Sequence, residues 1–148
     1  MRGYSDSQPM IIAYINLEKR VPQGHPLRKI KSMADQELKS LSPLFNAMYS
    51  YTGRPSIPPE RVLKSLLLIA LYSVRSERQF CEQLDYNLLF RWFLDLELND
   101  ASFDPTVFTK NRERLMEHEV GRRFFDAVVR QARGAGLMSD DHFTVDGT

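Results

Sequence analysis

Apolar residues recur at helical spacing from residue 26 onward. This periodicity predicts a first helix from Pro26 to Leu41. The Ser42-Pro43 pair then predicts the start of a short second helix that ends at Tyr49. The apolar positions of the first helix are Leu27, Ile30, Met33 (or Ala34), Leu38 and Leu41.

After a break at 52–55, three further helices are predicted. The third begins at Pro58-Pro59-Glu60 and is apolar almost all round, which predicts a buried, central position. Ser76 with Gln79 resembles a capping box and predicts a fourth helix, and Asp85 is predicted to cap a fifth, aromatic one. Their apolar residues are Val62, Leu63, Leu66, Leu67, Ile69, Ala70 and Val74 in the third, Phe80 and Leu84 in the fourth, and Leu89, Phe90, Trp92 and Phe93 in the fifth.

The acidic stretch 95–104 predicts an internal loop. Asp104-Pro105 is a typical N-cap and first-turn pair and therefore predicts a sixth helix. Gly136 fits the C-cap of a seventh. These two helices are predicted over 105–116, with Val107, Phe108 and Leu115 on one side, and over 119–135, with Val120, Phe124, Val128 and Ala132 buried.

The two ends of the chain have other patterns. The apolar hexamer Met10–Ile15 is either a short strand or a segment packed on the body. Phe143–Thr148 alternate at strand period and place Asp146 before a glycine turn, where many α/β sites hold a catalytic carboxylate. The predicted fold is mainly α, with an irregular N-terminal arm over 1–25, a multi-helix domain over 26–136, and a linker and first β-strand over 137–148.

The composition fits one soluble globular domain. The chain has 148 residues, of which 43% are hydrophobic, enough to bury a core. Its single cysteine, Cys81, excludes an intramolecular disulfide and is expected to be a small buried apolar side chain in a reducing, cytoplasmic compartment. The longest apolar run, Leu66–Tyr72, is far shorter than the roughly 20 residues of a membrane helix.

Metal and small-molecule chemistry find little support in the residue pattern. His25, His118 and His142 lack the spacing of metal ligands. The sequence has no phosphate-binding glycine loop and no nucleophile elbow, so we expect no small-molecule substrate. The short apolar runs predict no membrane partner. Asp146 is the one candidate for chemistry, and a single carboxylate does not hold a catalytic metal pair.

The formal net charge of +1 conceals an uneven distribution. Seven of the nineteen acidic residues lie in 95–104 and 136–148, which contain no Lys or Arg. The rest of the chain therefore has twelve acidic residues against twenty basic ones. This excess is a modest indication of nucleic-acid binding.

Basic residues of the third helix and its flanks are predicted to form one ridge: Arg54, Arg61, Lys64, Arg75 and Arg78. Arg61, Lys64 and Arg75 share a narrow arc of the helix with Leu68. Such a ridge either lies along a DNA phosphate backbone or is a solvated face of a buried helix, and spacing alone leaves both interpretations open.

The sixth helix has the pattern of a recognition helix. An apolar underside would hold it on its partner, as in a helix-turn-helix, while polar residues face the major groove. The outward residues are predicted to be Thr106, Thr109, Lys110 and Glu113, with Arg112 and Arg114 at the borders. The alternative is an ordinary surface helix. On the seventh helix, Asp126 lies four residues from both Arg122 and Arg130, which predicts a salt-bridged solvent face.

Four segments taken together resemble bacterial insertion-sequence transposases of the IS-five family. They are Gly53–Glu60, Leu71–Arg78, Leu84–Phe93 and Phe143–Thr148. The similarity spans nearly the whole chain. It covers the N-terminal domain of that family, often called the InsH N-terminal domain, and the entry into a ribonuclease-H-like catalytic domain.

The resemblance implies a role for Asp146 as the first acidic residue of an Asp-Asp-Glu triad. In such triads the carboxylates hold two magnesium ions that activate a water or a DNA 3′ hydroxyl for in-line attack. The other two carboxylates would belong to a domain outside these 148 residues. We therefore expect a truncated transposase, a degenerate copy or one part of a split reading frame. In each case, we expect the chain to have no cofactor of its own. Full-length relatives would use Mg²⁺.

The expected function is DNA binding at the terminal inverted repeats of an insertion sequence, without cleavage. The alternative is a helical multimerisation module, a homo-oligomer whose interface is the aromatic fifth helix. A third interpretation, an active enzyme, requires the missing carboxylates to come from another chain. Salt concentration discriminates DNA binding from multimerisation, because phosphate contacts weaken as the salt concentration rises and an apolar interface does not.

Overall fold

The computed structural model describes residues 2–5, 8–49 and 57–137. These parts of the chain contain seven α-helices and no β-strand, which confirms the mainly helical fold. The helices are α1 (Leu17–Arg20), α2 (Pro26–Met48), α3 (Pro59–Leu71), α4 (Glu77–Gln83), α5 (Leu88–Phe93), α6 (Pro105–Glu117) and α7 (Val120–Gly134). The predicted strand Phe143–Thr148 lies outside the described residues.

One hydrophobic core joins the helices. The long helix α2 packs along α7, while α6 packs against α3, α4 and α7, and α1 lies against α5. Aromatic rings fill the space between α4, α5 and α6. The ring of Phe80 lies 5.5 Å from that of Phe90 and 6.1 Å from that of Phe108. Helix α6 is therefore held from its buried side by aromatic contacts.

Helix α2 is one continuous helix, so the prediction of two helices divided at Ser42-Pro43 is wrong. Pro43 lies inside it and contributes no backbone N–H. The buried face continues across the proline through Leu41 and Phe45. Packing of that face against α7 outweighs the local preference for a helix start.

Side-chain caps define the starts of α4, α5 and α6. Ser76 accepts from the Gln79 amide at 3.1 Å and Asp104 accepts from the Thr106 amide at 2.9 Å, which confirms the predicted caps of α4 and α6. Asn87, not Asp85, caps α5, since its Oδ1 accepts from the Phe90 amide at 3.0 Å. The Asp85 amide instead bonds to Glu82 O, within the turn that follows the end of α4 at Gln83.

Left-handed turns end both α7 and α3. Gly136 ends α7 with φ of 73°, and the Leu137 amide bonds to Ala132 O at 2.9 Å, which confirms the predicted C-cap. Helix α3 ends in the same way at Ser73, with φ of 50°. The prediction that α3 reaches Val74 is wrong, because this turn reverses the chain first.

The N-terminal arm includes the short helix α1, which the sequence did not predict. The hexamer Met10–Ile15 before it is neither a strand nor packed on the body. Ile11 is 98% exposed and Tyr14 is 100% exposed. In the described part of the chain, no backbone hydrogen bond involves residues 8–15. None of the helices in the described ranges is long and apolar enough to cross a membrane.

Candidate nucleic-acid interface

The basic residues predicted to form a ridge on the third helix do not form one exposed surface. Lys64 is 3% exposed and Leu68 is fully buried. The Lys64 ammonium lies 2.6 Å from Asp35 Oδ1 on α2 and 3.4 Å from Asp95 Oδ2 after α5. Two acids remote in sequence therefore turn this lysine inward, and Lys64 does not face solvent where a phosphate would lie.

Lys31 completes a four-residue charge network with Lys64, Asp35 and Asp95. Its ammonium lies 2.9 Å from Asp35 Oδ2 and 3.0 Å from Asp95 Oδ1. Burial by itself lowers the pKa of Lys31, but its hydrogen bonds to the two carboxylates outweigh burial, so the net pKa is raised. Two cations face two anions, and the network fixes the turn at Asp95, whose φ is 57°, against α2 and α3.

The other residues of the ridge divide into two groups. Arg61 is half-buried and donates to Asp95 O at 3.1 Å. Arg75 lies beyond the end of α3 and Arg78 on α4, and both side chains are exposed. Arg54 lies outside the described residues. Of the described ridge, only Arg75 and Arg78 are positioned to meet a phosphate freely.

The underside of α6 differs from the prediction by one residue. Phe108, Asn111 and Leu115 are buried at spacings of three and four, whereas Val107 is 42% exposed. Asn111 takes the buried position because its amide nitrogen donates to Val107 O at 2.8 Å. The polar residue Asn111 can thus lie on the core face of α6 because its side-chain amide is hydrogen-bonded.

Part of the predicted outward face of α6 is turned toward α4. Thr109 Oγ1 donates to Glu77 Oε2 at 3.2 Å. Arg112 Nε lies 2.5 Å from Glu77 Oε1, an ion pair whose N–H direction does not satisfy hydrogen-bond geometry. The expectation that Thr109 points outward is wrong, because the Glu77 carboxylate draws it and Arg112 to the helix interface.

The remaining α6 residues face solvent. Thr106, Lys110 and Glu113 are exposed, as predicted. Arg114 is exposed too, but it donates to Met48 O at 2.6 Å and lies 4.4 Å from the centre of the Tyr49 ring. Lys110 is therefore the basic residue of α6 whose side chain makes no hydrogen bond, ion pair or ring contact in the described ranges.

The outer face of α7 exposes basic side chains without the ion pairs that the sequence predicted. Arg122, Arg123 and Arg130 are exposed. Across the described part of the chain, Asp126 makes no ion pair with Arg122 or Arg130, so the predicted salt-bridged face is wrong. An exposed pair gains at most about 1 kcal/mol and must hold two long side chains in one geometry. These arginines remain available to a partner.

A buried arginine that the sequence did not single out organises the loop after α5. Arg91 is 3% exposed and donates to Leu84 O at 2.7 Å, Glu97 O at 2.7 Å and Asp100 O at 2.9 Å. It connects the end of α4 to the acidic loop through carbonyl groups. The only sequence signal was a lone cation among the aromatic residues of α5.

Trp92 anchors the N-terminal helix to α5. Its indole N–H donates to Glu18 Oε2 at 2.8 Å, and Arg28 pairs with the other oxygen of that carboxylate. These two hydrogen bonds, the Trp92 one first, lower the pKa of Glu18. The Arg28 guanidinium also lies 5.1 Å from the Trp92 ring centre. The exit direction of the N-terminal arm is therefore fixed.

Catalytic groups do not converge in the described residues. Asp146 lies outside them. Within them, no group of three or more His, Cys, Asp or Glu side chains is placed to hold a metal ion. Burial is the main cause that raises the pKa of the Cys81 thiol to about 11, which fits the predicted small buried side chain.

Comparison with known proteins identifies one family whose model matches this chain. Residues 15–114, about two thirds of the chain, match the family described as Transposase domain (DUF772). No curated protein and no solved structure matches the chain significantly.

Proposed function

The chain belongs to the transposase domain family DUF772, and we propose that it binds DNA at the terminal inverted repeats of an insertion sequence. The observation that supports this most is a set of exposed basic side chains that lack an ion-pair partner among the described residues. They are Arg75 and Arg78 around the start of α4, Lys110 on α6, and Arg122, Arg123 and Arg130 on α7.

These side chains lie on adjoining helices. Glu77 connects α4 to α6 through Thr109 and Arg112, so Arg78 and Lys110 each follow directly after a residue of that contact. Helix α6 also packs on α7. Lys and Arg that are not neutralised within the protein release counterions when they meet phosphates, which drives DNA binding.

We propose that α6 reads base edges. It has a firm N-cap in Asp104, a core anchor in Phe108, and Lys110 and Glu113 in solvent. Lysine donates to guanine acceptors and glutamate accepts from the cytosine amino group in the major groove. Phosphate contacts from α4 and α7 would set the register of this helix on the duplex.

Cleavage is not part of the proposed activity of the 148-residue chain by itself. In the Asp-Asp-Glu pattern that the sequence resembles, Asp146 would act with two further carboxylates to hold Mg²⁺. The described residues supply no such set, and no catalytic step is assigned to them. A role of Asp146 as a metal ligand is proposed only together with two such further carboxylates.

The test replaces three of the free cations at once. We expect Arg75→Gln/Arg78→Gln/Arg122→Gln to weaken binding to every duplex and to make the slope of log K against log salt shallower by about 2 to 3, since each lost phosphate contact removes about 0.9. Fluorescence anisotropy with terminal-repeat and scrambled duplexes, at a series of salt concentrations, measures both effects.

The matched control is Lys19→Gln/Lys29→Gln/Lys39→Gln, which removes the same charge from exposed lysines of α1 and α2. It should lose less affinity than the first variant. Asp146→Ala should bind as wild type does, and neither chain should nick DNA with magnesium. Equal losses in the two triple variants, or binding that is insensitive to salt, would contradict the proposed surface.

A second candidate function, multimerisation, is supported by the arm and not by α5. The aromatic α5 was expected to be the interface, but Phe90, Trp92 and Phe93 are buried in the core. The hexamer Met10–Ile15 is exposed instead, and no charged residue lies between residues 7 and 17. An uncharged apolar segment with free backbone groups fits a protein partner, not a phosphate.

If the arm joins two copies, Ile12→Asp should convert a dimer into a monomer, because a charge would be buried in the new contact. Light scattering after size exclusion, at several protein concentrations and at low and high salt, measures this. Leu44→Asp, a like change at an exposed position of α2, is the control. A wild-type chain that is monomeric at every concentration would rule out this second function.

A further inference from the structure

A cleft of about 470 Å³ opens between the α3–α4 turn, α4 and the start of α5. Its volume falls in the range of small-ligand sites, about 300 to 1,000 Å³. The residues that line it include Tyr72, Ser73, Arg75, Gln79, Gln83 and Asn87. The cleft touches the proposed DNA surface at Arg75.

The lining is rich in unpaired carboxamides. Gln79 and Gln83 lie one turn apart on α4, and their side chains make no hydrogen bond with any described residue. Asn87 uses Oδ1 to cap α5, which leaves its amino group free. No Asp or Glu of the described ranges lines the cleft. Carboxamides offer a donor and an acceptor side by side, which matches the edge of a nucleobase.

An aromatic wall stands beside these amides. Tyr72 is 44% exposed, and its ring meets that of Phe90 edge to face at 5.4 Å. The left-handed turn at Ser73 and the bond from the Val74 amide to Ile69 O at 3.0 Å hold Tyr72 and Arg75 at the mouth of the cleft. A fixed aromatic side chain with an exposed part is a stacking surface for a base.

We propose that this cleft binds a single unstacked nucleobase of a DNA strand. Tyr72 stacks on the base, Gln79 and Gln83 hydrogen-bond its edge, and Arg75 contacts the adjoining phosphate. A paired base inside a duplex cannot enter a concave site of this size, so the ligand is an unpaired base at a bulge, gap or strand end.

This inference rests on the proposed DNA binding, which brings strands to the cleft. A free nucleotide has the same base chemistry, so the two sources must be separated by experiment. A base tethered to bound DNA arrives at high effective concentration, while a free nucleotide has only the contacts of the cleft. The strand-borne base is therefore expected to bind far more tightly.

The experiment compares three probes with the full 148-residue chain at one low salt concentration. They are a fully paired duplex, the same duplex with one unpaired 2-aminopurine, and free 2-aminopurine deoxynucleoside monophosphate. Stacking on an aromatic side chain is expected to favour the unpaired duplex over the paired one by about 5- to 100-fold. It should also change the 2-aminopurine fluorescence.

Gln79→Met/Gln83→Met keeps side-chain length and removes the amides, and Tyr72→Leu removes the stacking ring. Each should bring the preference for the unpaired duplex close to one and leave affinity for the paired duplex unchanged. Gln36→Met, an exposed glutamine of α2, is the matched control and should keep the wild-type preference. Circular dichroism verifies that each variant is folded, and the single Gln79→Met serves if the double variant is not.

The outcomes separate the two proposals. Normal binding of the paired duplex with no preference for the unpaired base overturns the cleft assignment alone. A preference that survives Gln79→Met/Gln83→Met and Tyr72→Leu overturns it too. Binding of the free nucleotide as tightly as the unpaired duplex overturns the assignment to a DNA strand. If the wild-type chain binds none of the DNA probes, both the proposed function and this inference are overturned.

Discussion

Phe108→Ala is expected to lower the free energy of unfolding by about 3–5 kcal/mol, the usual loss for a buried phenylalanine. Phe108 is fully buried. Its ring lies 6.1 Å from that of Phe80 and 5.9 Å from that of Phe103, so truncation leaves a cavity where α6 meets α4. Since a domain is stabilised by only about 5–15 kcal/mol, this one change removes a large part of the total.

The neighbouring residue provides the control. Val107 belonged to the underside in the sequence pattern but is 42% exposed. Val107→Ala is therefore expected to change the free energy by less than about 1 kcal/mol. Urea unfolding followed by circular dichroism measures both variants. Equal losses from the two would show that α6 is rotated relative to this structure, with Val107 in the core.

Arg91→Met should be the most damaging substitution of a charged residue, with an expected loss of about 2–4 kcal/mol. Methionine reproduces the apolar stem but leaves the carbonyls of Leu84, Glu97 and Asp100 without their donor. A buried polar group without a partner costs about 1–3 kcal/mol. The estimate lies below the sum for three groups, because Glu97 and Asp100 are exposed and water reaches their carbonyls.

The comparison for Arg91 is Arg123→Met, an exposed arginine of α7. It should alter the free energy of unfolding by no more than about 0.5 kcal/mol. The same urea titrations apply, and hydrogen exchange of the 95–104 amides would rise in Arg91→Met as the loop loses its anchor. If Arg91→Met unfolds at the same urea concentration as Arg123→Met, the three carbonyl contacts do not stabilise the fold.

The local signals in the sequence identified three helix caps correctly, although Asn87 and not the predicted Asp85 caps α5. Ser76, Asp104 and Gly136 act within one helical turn of their own positions, so a short stretch of sequence is sufficient to define them. The Ser42-Pro43 signal was equally local, and it failed. The start that it predicted lies inside α2, where burial along the whole helix decides the outcome.

The sequence by itself determined the mainly helical fold, most helix positions and many residues of the core, because the spacing of apolar residues records which face of a helix is buried. Only the tertiary structure decided which cations face solvent. Lys64 turns inward toward Asp35, 29 residues away, and Asp95, 31 residues away. A basic side chain becomes buried or free according to acids on other helices, and the periodicity of its own helix carries no information about them.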